Sequence, residues 1–167
     1  MLAAPNSGTS GIVLDQFDLD LLNEVQRDDA RTADELAQRV ALSPSAIARR
    51  LRRLRSEGSI ARTIALLGAR LTDDRLRAIV LIQLAEHADI AGKSALLQRL
   101  GASPNVQFCY EIAGPHDFVA LFDCTNMAAF NACADELLAA SPSVHRYETH
   151  FVKREVKFAP FVELTSG

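Results

Sequence analysis

Ser43-Pro44 opens a run that Gly58 closes, and the only large apolar side chains inside it are Ile47, Leu51 and Leu54. Spacings of four and three put all three on one stripe of a helix. Ser43 suits the N-cap, Pro44 the first turn where no amide donor is needed, and Gly58 the C-terminal stop. Most of the remaining helix surface is arginine. Residues 43–63 carry Arg49, Arg50, Arg52, Arg53, Arg55 and Arg62 against a single acid, Glu57, in a chain whose formal net charge is −3. A local charge of +5 in an otherwise acidic protein points to an anionic partner for this segment alone.

Two shorter helices are predicted before it. Leu14, Phe17, Leu21, Leu22 and Val25 recur at helical spacing, with Asp15, Asp18, Asp20 and Glu24 on the other face. Asp15 or Asp18 can cap its start, where negative charge meets the positive end of the helix dipole. Thr32 and Glu35 fit a capping box ahead of Leu36, Ala37 and Val40, and Ala41-Leu42-Ser43 forms the turn. Three short helices with this break describe a helix-turn-helix. Ser59–Leu67 alternates enough for a strand or wing, and residues 69–77 read as a charged connector.

The second half changes period. Ala78–Ala85 reads as a strand, Asp89–Leu100 as a helix, Val106–Ala113 and Asp117–Cys124 as strands joined through Gly114-Pro115-His116, Asn126–Ala139 as a helix, and Val144–Phe158 as a long last strand. The order βαββαβ is the ferredoxin-like sandwich, so the fold class is α+β. Domain boundaries are expected at 1–13 for a flexible N-terminus, 14–62 for the helix-turn-helix, 63–77 for a linker strand, 78–160 for the sandwich and 161–167 for a tail. Ile79, Val80, Leu81, Ile82 and Leu84 are apolar on both faces, as are Phe118 to Phe122, while two helices cover only one. A second copy of the sheet is the least costly cover, which predicts a homodimer through this domain.

Several classes are disfavoured. The longest apolar run, Ala78–Ala85, is far short of the roughly 20 residues of a membrane span. Met1–Gly11 lacks the charged start and apolar centre of a signal peptide, so no membrane association and a cytoplasmic location are expected. Cys109, Cys124 and Cys133 form no CxxC pair and suggest reduced, buried thiols. His87, His116, His145 and His150 are scattered without metal-ligand spacing, and no nucleophile elbow, P-loop or dinucleotide fingerprint occurs. Neither a metal, nor a cofactor, nor a catalytic residue is expected.

The stretches LDQFDLDLLNEVQRDDARTADELAQRVALSPSAIARRLRRLRSEGSI, NVQFCYEIAGPHDFVALF and RYETHFVKREVK resemble the Lrp/AsnC (leucine-responsive, feast/famine) family of transcription regulators. The resemblance spans nearly all of residues 14–158. It implies an N-terminal DNA-binding domain, a linker strand and a C-terminal amino-acid-binding sandwich, the RAM domain. It also implies assembly beyond the dimer, commonly an octamer, and a location with the nucleoid.

On the recognition helix, Ser45, Ala46, Arg49 and Arg50 occupy the N-terminal part of the outward face, the part that enters the major groove in helix-turn-helix proteins. The arginine fork pairs bidentately with guanine or phosphate. Ser43 can meet a phosphate at the helix start, and Arg52, Arg53 and Arg62 suit phosphate contacts. The expected DNA is double-stranded, with an imperfect palindrome and half-sites about one helical turn apart. The resemblance places a small amino-acid effector at the Gly114–Asp117 loop and Thr149, with His116 and Tyr110 shaping its side-chain pocket. The alternative is an enzyme. Haem-pathway decarboxylases resemble this two-domain architecture, although the arginine face has no purpose in such an enzyme.

Overall fold

A computed structural model describes residues 13–85 and 90–165. The chain divides into two compact units, Leu67–Val156 and, separately, residues 13–66 together with Lys157 onward. The tail expected after residue 160 is therefore part of the N-terminal unit.

In that unit α1 spans Gln16–Val25, α2 Ala33–Ala37 and α3 Pro44–Ser56. Each starts on its expected cap. Asp15 accepts the Asp18 N–H while Asp18 accepts the Asp15 N–H, Thr32 and Glu35 form the same reciprocal pair, and Ser43 accepts the Ala46 N–H. Leu21, Leu22, Val25, Leu36, Val40, Ile47, Leu51 and Leu54 make the core. Each fully buried leucine or isoleucine contributes about 1.5–3 kcal/mol. Phe17 departs from its expected place on this stripe. It is 38% exposed, and the Arg50 guanidinium lies 5.7 Å from its ring centroid.

No strand forms over Ser59–Leu67. The segment is irregular and exposed after Ile60, with no ladder to a neighbour among the described residues. Alternation alone cannot supply the partner that a strand requires.

The second unit has β1 (Leu76–Leu84), α4 (Ile90–Ala102), β2 (Val106–Glu111), β3 (Phe118–Cys124), α5 (Met127–Ala134) and β4 (Val144–Phe151). The start of α4 expected at Asp89, and the histidine at 87, lie outside the described residues. The sheet order is β2-β3-β1-β4, antiparallel throughout, which is the ferredoxin-like topology. Asn126 caps α5 as expected, but the final turn widens into a π-helix over Asp135–Ala139, closed by the Ala140 N–H on the Asp135 carbonyl. The last strand stops at Phe151 rather than Phe158, because Phe151 already pairs with Ala78, the Val152 N–H donates to the Arg77 carbonyl, and β1 begins at Leu76.

One face of the sheet packs Ala78, Val80, Ile82, Phe118, Ala120, Phe122 and Cys124 against Leu96, Leu100, Phe130 and Leu138 of the helices. The other presents Ile79 and Leu81 paired with Leu121 and Val119, beside Phe108 and Tyr110 stacked at 5.1 Å. This open face carries the apolar pattern expected for a covered surface. All three cysteines are free thiols, Cys124 and Cys133 buried and Cys109 half-buried. Burial pushes the Cys109 and Cys124 thiols above their ordinary pKa, which leaves them inert at neutral pH.

Candidate nucleic-acid interface and effector loop

The arginines of α3 divide into two groups. Asp18, only 1% exposed, receives Nη1 of Arg50 at 2.8 Å on one oxygen and Nη2 of Arg53 at 2.6 Å on the other. Arg50 also reaches both oxygens of Asp15, at 2.8 and 3.0 Å. Expected on the solvated face of α1, Asp18 is instead the buried ion that fixes α3. Burial alone would raise its pKa, but hydrogen bonds from Arg53, Arg50 and the Asp15 amide outweigh that and hold the carboxyl below its ordinary value. Arg50 and Arg53 stay partly accessible, with side chains 22% and 38% exposed. Arg55 pairs with Asp29, at 2.7 Å, which also accepts the Thr63 hydroxyl.

Arg49, Arg52 and Arg62 are the second group. All three are exposed, and none makes an ion pair among the described residues. Among the described residues Arg52 donates only to the Ala48 carbonyl one turn back. Ser43 and Ser45 are exposed at the helix start with hydroxyls 3.2 Å apart, and Ala46 is half-buried beside them. The outward face of α3 thus offers hydroxyls at its N-terminus and two unneutralised guanidiniums along its length.

In the ferredoxin-like unit the residues of the expected effector loop do not all converge. Gly114 has φ +149°, a conformation open to glycine and costly for other residues. No atom lies within 4 Å of where a Cβ would stand, so strain alone opposes substitution. Gly114→Ala should therefore lower the stability of this unit by about 1–2 kcal/mol, measured by urea unfolding. An unchanged midpoint would show that the loop adapts. One oxygen of Asp117 accepts the Leu84 N–H at 2.7 Å and pins the irregular end of β1. Its other oxygen accepts no hydrogen bond among the described residues. His116 Nε2 is shielded from solvent, unpaired by any hydrogen bond, and 3.4 Å from Glu148 Oε1. Arg146, bonded to Gln83, lies 3.7 Å from the same carboxylate. Tyr110 is 62% exposed on the open sheet face. Thr149, opposite Val80, stands on the helix-covered face instead.

Sequence reasoning missed Asp18 as an ion-pair centre, and it missed Glu148 beside His116 with Arg146, bonded to Gln83, next to that carboxylate. An acid pair three residues apart, in a unit holding six arginines between residues 43 and 63, was the available signal for the first. Strand register, which the sequence does not print, decides the second.

A capped helix-turn-helix joined to a ferredoxin-like sandwich defines a two-domain transcription regulator. Residues 14–60 match the winged helix-turn-helix DNA-binding model and residues 77–160 the Lrp/AsnC ligand binding domain model. The chain belongs to the Lrp/AsnC family of transcriptional regulators. It is similar to the leucine-responsive regulatory protein of Salmonella typhimurium, 34% identical over 146 residues, covering 86% of this chain and 87% of that one. It is also similar to an uncharacterised HTH-type regulator of Sinorhizobium fredii, 30% identical, covering 90% of each chain. Among solved structures, a Neisseria meningitidis regulator in complex with L-methionine aligns with a TM-score of 0.80 at 27% identity, covering 92% of this chain and 97% of that one. These relatives give the decarboxylase alternative no support.

Proposed function

We propose that α3 reads double-stranded DNA and that the ferredoxin-like unit takes a small amino acid as effector. The observation that carries the first part is the pair of exposed guanidiniums, Arg49 and Arg52, without carboxylate partners among the described residues while their neighbours Arg50 and Arg53 are held by Asp18. Arginine side chains free on the outward face of a helix-turn-helix are available to bases and phosphates. Ser43, Ser45, Ala46 and Arg62 complete the proposed contact surface. Arg50 and Arg53 divide their donors between Asp18 and phosphate.

The effector group is Gly114, His116 and Asp117 with Tyr110 nearby. The second Asp117 oxygen suits the ammonium of an amino acid, while His116, its Nε2 3.4 Å from the Glu148 carboxylate, walls the loop. The L-methionine bound by the meningococcal relative supports this ligand class. Thr149 would need to be reached from the other face of the sheet. We assign no catalytic residue and no enzymatic activity. A homodimer closed through Ile79, Leu81, Val119, Leu121 and the Phe108–Tyr110 stack, and assembled further as an octamer, would cover the open apolar face. Among the described residues no helix is long and apolar enough to cross a membrane; a cytoplasmic place with the nucleoid accords with the DNA partner. An effector bridging dimers would shift their assembly and, by linkage, their DNA affinity.

Selection of genomic fragments with the purified protein, then titration of the enriched site, tests this reading. A palindromic site should emerge with a log–log salt slope of about −7, for roughly four phosphates per subunit of a dimer. One of the amino acids, added singly, should shift the titration. Uniform weak binding with no enriched site would overturn it.

A further inference from the structure

The C-terminal segment meets α1 in a manner the regulator reading does not use. Asn23 donates Nδ2 to the Leu164 carbonyl and accepts the Leu164 N–H on Oδ1, both at 2.8 Å. Gln26 treats Val162 in the same way, both at 3.0 Å. In an extended chain the N–H and C=O of alternate residues point to the same edge. Two amides three residues apart on a helix therefore grip the segment as a neighbouring strand would, satisfying both backbone groups of Val162 and of Leu164. Leu164 packs on the core of this unit, and the Arg27 guanidinium lies 5.2 Å from the Phe161 ring centroid. A disordered tail has no cause to match a helix at so many points.

The same helix carries Asp15 and Asp18 at its other end, where they hold Arg50 and Arg53 of α3. Chain connectivity adds a second point. Leu67–Val156 is bounded on both sides by segments of the DNA-binding unit, so the ferredoxin-like unit is an insertion with two tethers. We propose that residues 157–164 form a strap whose docking on α1 is coupled to DNA binding, with α1 relaying between the strap at Asn23 and Gln26 and the recognition helix at Asp18. This rests on the DNA-binding reading. Coupling is reciprocal: if the docked strap favours DNA binding, DNA must favour the docked strap by the same factor.

The test uses the full chain, a 30-base-pair mixed-sequence duplex at low salt, and amide hydrogen exchange. On DNA binding, exchange at Val162 and Leu164 should slow by about fivefold or more, within the usual range of coupling. In the variant Asn23→Ala with Gln26→Ala, both amides should exchange about tenfold faster and the affinity for the duplex should fall about fivefold. Val162→Pro removes one strap donor while leaving α1 untouched, and should reproduce the loss of affinity. Loss of protection with unchanged affinity in either variant overturns the coupling, as does a loss confined to the α1 variant. Failure of the wild type to bind any duplex would overturn the proposed function itself, and the exchange at Val162 and Leu164 would still show whether the strap docks.

Discussion

Asp18→Ala is expected to cost the DNA-binding unit about 2–3 kcal/mol. The carboxylate is buried and is held by two guanidiniums and one backbone amide. Its removal deletes three charge-assisted or capping hydrogen bonds and leaves two like charges facing each other. Breaking a fully buried ion pair costs about 3–5 kcal/mol; the figure here is lower because both arginines reach solvent and can rehydrate. Urea unfolding monitored by helix content measures it, and a loss below about 0.5 kcal/mol would mean that the triad is decorative. The pH dependence follows from the same site. Because the folded carboxyl lies below its ordinary value of 3.8, its stabilisation is present above that value and is lost as pH falls through the folded pKa. The wild-type unit should therefore weaken as pH falls below about 4, and Asp18→Asn should flatten that part of the curve. A parallel decline in both proteins would remove Asp18 from the explanation.

Replacing Arg49 and Arg52 together with alanine should reduce affinity for the selected DNA site by about 10- to 100-fold, the range for a base-reading arginine. The salt slope should lessen by about one for each phosphate that is no longer neutralised. Both side chains are exposed and make no ion pair among the described residues, so the melting temperature should hold within a degree or two. Arg50→Ala makes the contrast. It removes the partner shared by Asp15 and Asp18, so stability and affinity should fall together. Fluorescence anisotropy on all three proteins separates the cases. Equal affinity in the Arg49/Arg52 variant and the wild type would send the search for the interface to another surface.

What could be read from the chain alone depended on how local each signal was. Ser43-Pro44, the Thr32–Glu35 box and the Asn126 cap act within three residues, and each starts its helix where expected. The unbroken apolar runs of β1 and β3 marked both sheet faces for covering because a strand's side chains alternate whatever its neighbours do, and Ala78, Val80 and Ile82 do share one face with Ile79 and Leu81 on the other. Asp18 was misplaced because the spacing that makes it a cap also puts it on a polar face. Only the packing of α1 across α3 decides that this face meets arginine and not water. Thr149 and Tyr110 could be assigned to one site from their family positions, but register puts them on opposite faces of the sheet.

By itself the sequence determined the cap positions, the helix stripes, the βαββαβ order and the concentration of positive charge on one helix, since all of these follow from chemistry between near neighbours. The tertiary structure decided which arginines stay free, where the last strand stops, and that residues 157–164 return to α1. Each of those depends on a partner far along the chain, from Asp18 and Arg50 to Asn23 and Leu164, and nothing local in the chain encodes which partner will be met.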